Sequence, residues 1–243
     1  MGAAPANPLC VALDSADISA CLALADRVAP NVGALKVGLT AYAGGGPDLV
    51  RAVGRRAPVF LDLKWHDIPA QVLGAATVAA SLGARWVTVH AAGGADMVRA
   101  AVEGAGVAVT VLAVTVLTSI DRGVLEATGV ADAVADQVVR LADLGLGAGA
   151  GGLVCSPREL RALRQRFGPR ASGGPVLVAP GIRPAGAARD DQRRTSSVTA
   201  AVADGADLVV VGRPVTAAPD PGAEALRLSR AVAAQGGPAQ ARA

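Results

Sequence analysis

Two lysines stand out in a chain whose other basic side chains are arginines. Of the 23 lysines and arginines among the 243 residues, only Lys36 and Lys64 are lysine. A guanidinium keeps its proton in proteins, with a pKa above about 12, whereas an ammonium group can be tuned to release one. Lys64 lies two residues after Asp62 and three before Asp67. We therefore expect the proton donor of an active site at Lys64.

The charged residues follow apolar runs that have the composition of β-strands. Asp62 and Lys64 lie at the end of Val59–Leu63, and Lys36 ends the run Ala34–Val37. Side chains alternate along a strand, so Asp62 and Lys64 should point to the same side. In a site that excludes water, an effective dielectric constant of about 20 instead of about 80 makes their Coulomb energy about four times larger. The alternative is a salt bridge at a solvated strand end.

Short β-branched runs recur along the whole chain, separated by Ala-, Leu- and Arg-rich segments with helical spacing. Apolar strands that alternate with amphipathic helices are typical of parallel strands covered by helices. Eight units of roughly 25–35 residues predict a (β/α)8 barrel. A doubly wound open sheet is the alternative, disfavoured because no G-x-G-x-x-G turn follows the first strand. The predicted strands are Leu9–Leu13, Ala34–Val37, Val59–Leu63, Trp86–Val89, Val107–Val116, Gly152–Val154, Val176–Val178 and Leu208–Val211, and two of the predicted helices are Val134–Leu144 and Glu159–Phe167.

The ends of these strands carry the polar residues. In a barrel, the C-terminal ends of the strands converge on one mouth, so residues far apart in sequence can form one site. We therefore predict a single barrel domain over residues 1–243, with loose ends at 1–7 and 235–243. The strand-end residues are Asp14, Lys36, Asp62 with Lys64, His90, Thr115 to Ser119, Cys155 with Ser156, Gly181 with Arg183, and Gly212 with Arg213.

Composition argues against several other classes of protein. The net charge is +3, and no basic helix is interleaved with aromatic residues, so we expect a small anionic substrate rather than nucleic acid. The apolar runs are too short to cross a membrane, and the N-terminus lacks the regions of a signal peptide, which predicts a cytoplasmic protein. Three distant cysteines and two histidines predict neither disulfides nor a metal site.

The segment Asp62-Leu-Lys64-Trp-His66-Asp67-Ile-Pro69 resembles the D-x-K-x-x-D signature of the orotidine 5′-phosphate decarboxylase family, in its bacterial form. Each of the other matching pieces is short, but seven of them in the right order at strand-end spacing make a specific match. They are Val11–Asp14, Leu35–Gly38, Val87–Ala91, Val114–Ser119, Ala179–Arg183, Asp191–Arg194 and Val210–Pro214.

The resemblance implies removal of CO2 from orotidine 5′-phosphate to give UMP, with neither a metal nor an organic cofactor. Lys64 would protonate the pyrimidine carbon, and Asp62 would disfavour the substrate carboxylate. Lys36 would pair with these carboxylates and reach the ribose, whose hydroxyls Asp14 would bind. The family is expected to form a homodimer in which Asp67 enters the partner's site.

Further substrate contacts follow from the same resemblance and from the usual phosphate site of barrels, the loops after strands seven and eight. Gly212 and Arg213 would bind the phosphate, and residues 183–195 would form a lid that carries Arg183 and Gln192. Thr118 would contact the pyrimidine, although Thr118-Ser-Ile-Asp121 also fits a helix capping box. The list of substrate contacts is completed by Gln71, Asp14 and Lys36.

Three positions have weaker or purely structural interpretations. Gln71 stands where family members often have a threonine that meets the partner's nucleotide, so its role is open. Ser156, followed by Pro157 and by a glutamate at the third helical position, is predicted to be a helix cap. His66 and His90 are predicted to hold the mouth of the barrel by hydrogen bonds.

Two other functions remain as alternatives. Related barrels of the keto-gulonate-phosphate decarboxylase or hexulose-phosphate synthase type also carry D-x-K-x-x-D. They use Mg²⁺, however, and have a carboxylate after the second strand, where this chain has Lys36. A nucleotide-binding protein without catalysis would need the phosphate loops but not Lys64 and Asp62 together.

Overall fold

Eight parallel strands form a closed barrel in the computed structural model, which describes residues 7–182 and 196–234. The strands are β1 (Leu9–Leu13), β2 (Ala34–Gly38), β3 (Val59–Trp65), β4 (Ala84–His90), β5 (Thr110–Val114), β6 (Gly152–Val154), β7 (Val176–Ala179) and β8 (Leu208–Val211). Each strand pairs with its neighbour in sequence, and β8 closes the barrel on β1. The barrel prediction is confirmed, and the open-sheet alternative is wrong.

Helices follow the strands and cover the outside of the barrel. The described residues contain α1 (Ile18–Val28), α2 (Leu39–Gly54), α3 (Pro69–Ser81), α4 (Ala95–Ala105), α5 (Arg122–Ala127), α6 (Val134–Gly147), α7 (Leu160–Phe167), α8 (Val198–Ala203), α9 (Arg213–Thr216) and α10 (Pro221–Ala233). Helix α2 is kinked at Gly46, where φ is +52° and a proline follows. Within the two described ranges, no helix is long and apolar enough to cross a membrane.

The predicted strand bounds agree with the structure to within two residues, except at the fifth strand. The prediction began at Val107, but this side chain is fully exposed and the strand begins at Thr110. Helix α4 ends at Ala105, and the next residue, Gly106, has a positive φ of 61° that turns the chain before the strand starts. The β-branched composition of residues 107–109 therefore extended the predicted strand into a turn.

The pleat of the strands separates two apolar layers. One layer fills the inside of the barrel, with Cys10, Ala34, Phe60 and Trp86 among its members, and the other lies between the strands and the helices. Because side chains alternate, the residue two positions after an inward apolar residue also points inward. On the first three strands this inward row ends in charged residues at the C-terminal mouth: Asp14, Lys36 and Asp62.

Candidate active site

The mouth of the barrel encloses a cavity of about 990 Å³. Its lining comes from the C-terminal ends of six of the eight strands, from loops that follow the strands, and from helices that include α1. The structure thus gathers most of the predicted site residues around one cavity: Asp14, Lys36, Asp62, Lys64, Thr118, Gly212 and Arg213.

Four of these side chains form a continuous row of alternating charge. Lys64 Nζ lies 2.8 Å from Asp62 Oδ2, and Lys36 Nζ lies 3.8 Å from the same oxygen. Lys36 Nζ also donates a hydrogen bond of 2.9 Å to Asp14 Oδ1. The side chain of Asp62 is only 9% exposed and that of Lys36 11%, so the row is anchored in the protein rather than in solvent. The solvated salt-bridge alternative does not describe this arrangement.

The two central groups of the row, Asp62 and Lys36, are kept ionised by the charges beside them. Burial would raise the pKa of Asp62, but the ammonium groups of Lys64 and Lys36, with hydrogen bonds from Lys64 and Thr88, lower it below its usual value. Burial likewise opposes protonation of Lys36, yet Asp62 and Asp14 raise the pKa of its ammonium group. The site therefore presents a fixed carboxylate between two cations.

Lys64 is placed by an irregularity in β3. Between Leu61 and Trp65 this strand advances four residues, while β4 advances only two, from Val87 to Val89. The extra residues form a bulge, a feature that is common beside active sites because it redirects a side chain. Within the bulge, Lys64 has a φ of +52°, the only positive value among the described non-glycine residues. Such a backbone costs about 1–3 kcal/mol and persists only where its surroundings hold it.

Thr88 on β4 contacts this bulge, although no pattern in the sequence marks it as a site residue. Its hydroxyl accepts a 2.9 Å hydrogen bond from the Lys64 backbone N–H and donates one of 2.9 Å to Asp62 Oδ1. Thr88 is fully buried. The available signal was its position, because Thr88 lies two residues after the inward-pointing Trp86. Threonine is common in strands, however, so its presence there does not by itself indicate a functional residue.

The structure decides the capping alternatives at Thr118 and Ser156. Helix α5 is capped by Asp121, whose Oδ1 accepts the Val124 N–H at 3.1 Å, so the capping-box interpretation of Thr118 is wrong. Thr118 instead lines the cavity. Ser156 does form the predicted capping box, in which Glu159 Oε2 accepts the Ser156 N–H at 2.7 Å.

Asp67 and Gln71 do not join the charged row of their own chain. Both residues are exposed. The Asp67 carboxylate accepts the Ile68 backbone N–H at 2.6 Å and forms no salt bridge with another described residue. Gln71 lies in the first turn of α3. The intrachain site is therefore an Asp-Lys-Asp-Lys row that ends at Lys64.

The two histidines lie side by side near Lys64. The His66 and His90 rings are 5.6 Å apart between centroids. Burial, and then the neighbouring His66 and Lys64, lower the pKa of His90, so its ring is neutral near pH 7. The predicted hydrogen-bonding role of the pair stays a prediction.

Another part of the cavity is formed by the loop after β7 and by the end of β8, which is the neighbour of β1 in the barrel. Gly212 precedes α9, and Arg213 is its first residue. Pro180, Gly181 and Ile182 line the cavity after β7. The predicted lid over 183–195, with its two site residues Arg183 and Gln192, lies outside the described residues.

Fold and site together define a (β/α)8-barrel protein with a mixed-charge pocket at the C-terminal mouth, where barrel enzymes carry out their chemistry. The model of the orotidine 5′-phosphate decarboxylase / HUMPS family matches residues 7–228. A curated orotidine 5′-phosphate decarboxylase of Anaeromyxobacter sp. (strain K) is 56% identical over 231 residues, which cover 95% of this chain and 98% of that protein. Another, from Thermobifida fusca, is 52% identical and covers 92% of this chain and 95% of its own length.

A solved structure supports the same assignment. Orotidine 5′-phosphate decarboxylase from Lactobacillus acidophilus has a TM-score of 0.81 to this chain at 33% sequence identity, over 93% of this chain and 99% of that one. The chain belongs to the orotidine 5′-phosphate decarboxylase / HUMPS family.

Proposed function

We propose that this chain decarboxylates orotidine 5′-phosphate to UMP and CO2, the last step of de novo pyrimidine nucleotide synthesis. The proposal rests on the buried carboxylate of Asp62. In this chain, which belongs to the family, that carboxylate lies between the ammonium groups of Lys36 and Lys64. The curated relatives that cover nearly the whole chain bear the name of this enzyme. A carboxylate beside a proton donor is also the arrangement that the reaction requires.

Lys64 and Asp62 divide the chemical step between them. When the bond between the pyrimidine carbon and the carboxylate breaks, its electron pair stays on the ring carbon and CO2 leaves. Lys64 Nζ then gives that carbon a proton as a general acid. Asp62 lies beside the departing carboxylate and repels it, and this repulsion is relieved as CO2 forms. Solvent later returns the proton to Lys64, which is 27% exposed.

Asp14, Lys36 and Thr118 bind the nucleoside. Asp14 is more than half exposed at the rim of the cavity, where its carboxylate can accept hydrogen bonds from ribose hydroxyls. Lys36 contacts both Asp14 and Asp62. It therefore fixes the position of the carboxylate that binds the ribose relative to the carboxylate beside the reacting carbon. Thr118, on the loop after β5, supplies a hydroxyl to the pyrimidine.

Gly212 and Arg213 bind the phosphate. A glycine lets a phosphate approach the backbone N–H groups, and the arginine guanidinium can form two parallel hydrogen bonds to phosphate oxygens. Arg183 and Gln192 would contribute from the segment 183–195, which would close as a lid over the phosphate.

We further propose a homodimer in which Asp67 enters the partner's site and follows Lys64 in the row, so that Lys36, Asp62, Lys64 and Asp67 complete a Lys-Asp-Lys-Asp array across the interface. Two features of this chain support it. Asp67 is exposed and forms no ion pair with the charged row of its own chain, and exposed apolar side chains lie on the neighbouring elements: Leu39 is 64% exposed, Ile68 62% and Val78 50%. Burying such side chains against a second copy is favourable. Gln71, one turn from Asp67, would then face the partner's nucleotide.

Lys36 argues against the Mg²⁺-dependent relatives. Its ammonium group occupies the end of β2, 3.8 Å from Asp62 Oδ2, and would repel a divalent cation there. The described residues contain no group of three metal-ligating side chains. The positive charge of Lys36 at this position supports a cofactor-independent enzyme of the family.

The cellular setting follows from the substrate. Its phosphate and carboxylate keep it inside cells, so we propose a cytoplasmic enzyme whose partners are its nucleotide and a second copy, not nucleic acid or membrane. Cys10 and Cys21 are buried free thiols, as is usual in a reducing compartment, and Cys155 is buried as well.

The test is to add orotidine 5′-phosphate to the purified protein in the presence of EDTA and to follow the ultraviolet absorbance of the orotate ring. Loss of this band, with formation of UMP and CO2, is the expected result. Turnover only after Mg²⁺ is restored would favour the metal-dependent relatives. Tight binding of the nucleotide with no change of the band would identify a non-catalytic binder.

A further inference from the structure

We propose that Thr88 is a positioning residue for decarboxylation: its hydroxyl locks Asp62 and Lys64 in their reactive arrangement. The residue joins the two members of the pair through one oxygen, with 2.9 Å hydrogen bonds to Asp62 Oδ1 and from the Lys64 backbone N–H. The inference rests on the proposed function, because it assigns a part of that reaction to a residue outside the charged row.

The direction of both hydrogen bonds is fixed by chemistry. A threonine hydroxyl has a single hydrogen, and the ionised carboxylate of Asp62 can only accept. The hydrogen must therefore point to Asp62, and a lone pair of the same oxygen takes the Lys64 N–H. Thr88 is fully buried, so solvent water does not compete for either bond. Valine, which has the same shape, can form neither.

The two hydrogen bonds restrict the rotation of the Asp62 carboxylate and the backbone conformation of Lys64. Asp62 Oδ2 faces the lysines, and the bond from Thr88 to Oδ1 fixes the rotation of the carboxylate about its axis. The bulge in β3 gives Lys64 a left-handed backbone, and Thr88 Oγ1 accepts the N–H of this residue. Thr88 thus replaces a missing contact between β3 and β4 at the point where the reacting lysine leaves the regular strand.

Loss of the hydroxyl should impair the chemical step more than binding. A misplacement of reacting groups by about 1 Å can reduce a rate by about 100-fold. UMP has no carboxylate next to Asp62 and gains much of its affinity at the phosphate end, where Gly212 and Arg213 lie. We therefore expect Thr88→Val to lower kcat by about 10- to 100-fold while the dissociation constant of UMP changes by less than about threefold.

The experiment compares Thr88→Val with Thr88→Ser and with a matched control, Thr115→Val. Serine keeps the hydroxyl and should retain kcat to within about fivefold of wild type. Thr115 is a threonine at the end of the neighbouring β5, 3% exposed, whose hydroxyl donates at 3.1 Å to the Val154 carbonyl. Its valine variant also loses one buried hydrogen bond but touches neither Asp62 nor Lys64. Steady-state kinetics, UMP binding and the free energy of unfolding are measured for all three.

The expected pattern is a large loss of kcat in Thr88→Val alone, with Thr88→Ser close to wild type and Thr115→Val close to wild type in kcat. If Thr88→Val and Thr115→Val have equal kcat, Thr88 has no positioning role. Equal losses in Thr88→Ser and Thr88→Val would also overturn the proposal, because packing and not the hydroxyl would be responsible. If the valine variant does not fold, Thr88→Cys replaces it, since a thiol has a similar size but accepts and donates weakly. A Thr88→Cys variant as active as Thr88→Ser would then overturn the proposal.

Failure of the proposed function gives a different result. A wild-type protein that binds UMP but leaves orotidine 5′-phosphate unchanged contradicts the decarboxylase assignment and, with it, this inference. A wild-type protein that is active beside an equally active Thr88→Val contradicts the positioning role alone.

Discussion

At the scale of single residues, the two lysines of the charged row differ in their contacts and in their exposure. Lys36 is nearly buried and bridges Asp14 and Asp62, whereas Lys64 ends the row and is open to the cavity. An arginine could supply the positive charge at either place. Of the two residue types, only lysine can also release a proton, as the proposed role of Lys64 as proton donor requires.

Replacing Lys64 by arginine keeps the positive charge but removes the ability to release a proton. We expect Lys64→Arg to bind UMP and to fold like the wild type, but to lose at least about 100- to 10,000-fold in kcat, the usual contribution of a general acid. Lys64→Ala should be as inactive. The check is steady-state turnover together with circular dichroism and UMP binding. Turnover of Lys64→Arg within about tenfold of wild type would remove Lys64 from the role of proton donor.

The ionisation of Asp62 should make the free energy of unfolding depend on pH in the acidic range. Its pKa is lowered in the folded protein, so it stabilises the fold above its unfolded pKa near 4, and this contribution is lost as the pH falls through the lower folded value. Asp62→Asn leaves the Lys64 ammonium group without its anion and the buried Lys36 ammonium group with Asp14 alone, and we expect it to be less stable at pH 7 by on the order of 3 kcal/mol.

The difference in free energy of unfolding between Asp62→Asn and wild type should therefore narrow as the pH is lowered from 7 to 3. Denaturant unfolding at each pH measures it. A difference that stays constant over this range would show that Asp62 does not titrate as described.

At the scale of elements, the junction between β2 and α2 must leave room for the charged row. A Cβ atom on Gly38 would lie 2.8 Å from Lys36 Nζ and 2.9 Å from Asp14 Oδ1. These atoms are the tips of flexible side chains, so they can move aside at little cost in stability. Moving them breaks the hydrogen bond between Lys36 and Asp14, the pair that we propose binds the ribose.

We therefore expect Gly38→Ala to fold but to lose at least about tenfold in kcat/KM. Gly147→Ala is the matched control, because Gly147 ends α6 with no atom within 4 Å of the added methyl group. The control should keep full activity and gain about 0.4–1 kcal/mol in stability. Equal activity of both variants would mean that the Lys36–Asp14 pair is not needed for binding.

The junction of β8 and α9 should control catalysis from a distance. Two charge-assisted hydrogen bonds from Arg213 to the phosphate, at about 1.5–3 kcal/mol each, correspond to roughly 100-fold or more in kcat/KM. This binding energy can be used to organise the cavity around the transition state. Arg213→Ala should therefore lose at least this factor on orotidine 5′-phosphate and little more on orotidine, which lacks the phosphate. A loss below about tenfold would mean that Arg213 does not hold the phosphate.

At the scale of the whole molecule, the proposed dimer makes each site depend on two chains. Lys64→Ala and Asp67→Ala should each be inactive alone. After mixing and subunit exchange, every heterodimer contains one site with both native residues, so roughly a quarter of the wild-type activity should return. Proven exchange without any recovery would place Asp67 in the site of its own chain.

The periodicity of the sequence was sufficient to predict the barrel and most of its strand bounds. Apolar runs of strand length that alternate with helical segments bury both faces of each strand only in a covered parallel sheet. The polar residues at the strand ends then had to meet at one mouth, which the structure confirms for Asp14, Lys36, Asp62 and Lys64. Local signals also sufficed for the Ser156 cap, because a capping box lies within four consecutive residues.

Only the tertiary structure decided how Lys64 is held. Its left-handed backbone depends on the register between β3 and β4, and its N–H is bound by Thr88, which lies 24 residues away. Register is set by the packing of the whole barrel, so no window of sequence around Lys64 contains it. The same holds for Thr118, where the local pattern fits a cap but the cap that forms is Asp121. Residues alone predict which groups enter the site, but hydrogen bonds between distant strands determine where those groups point.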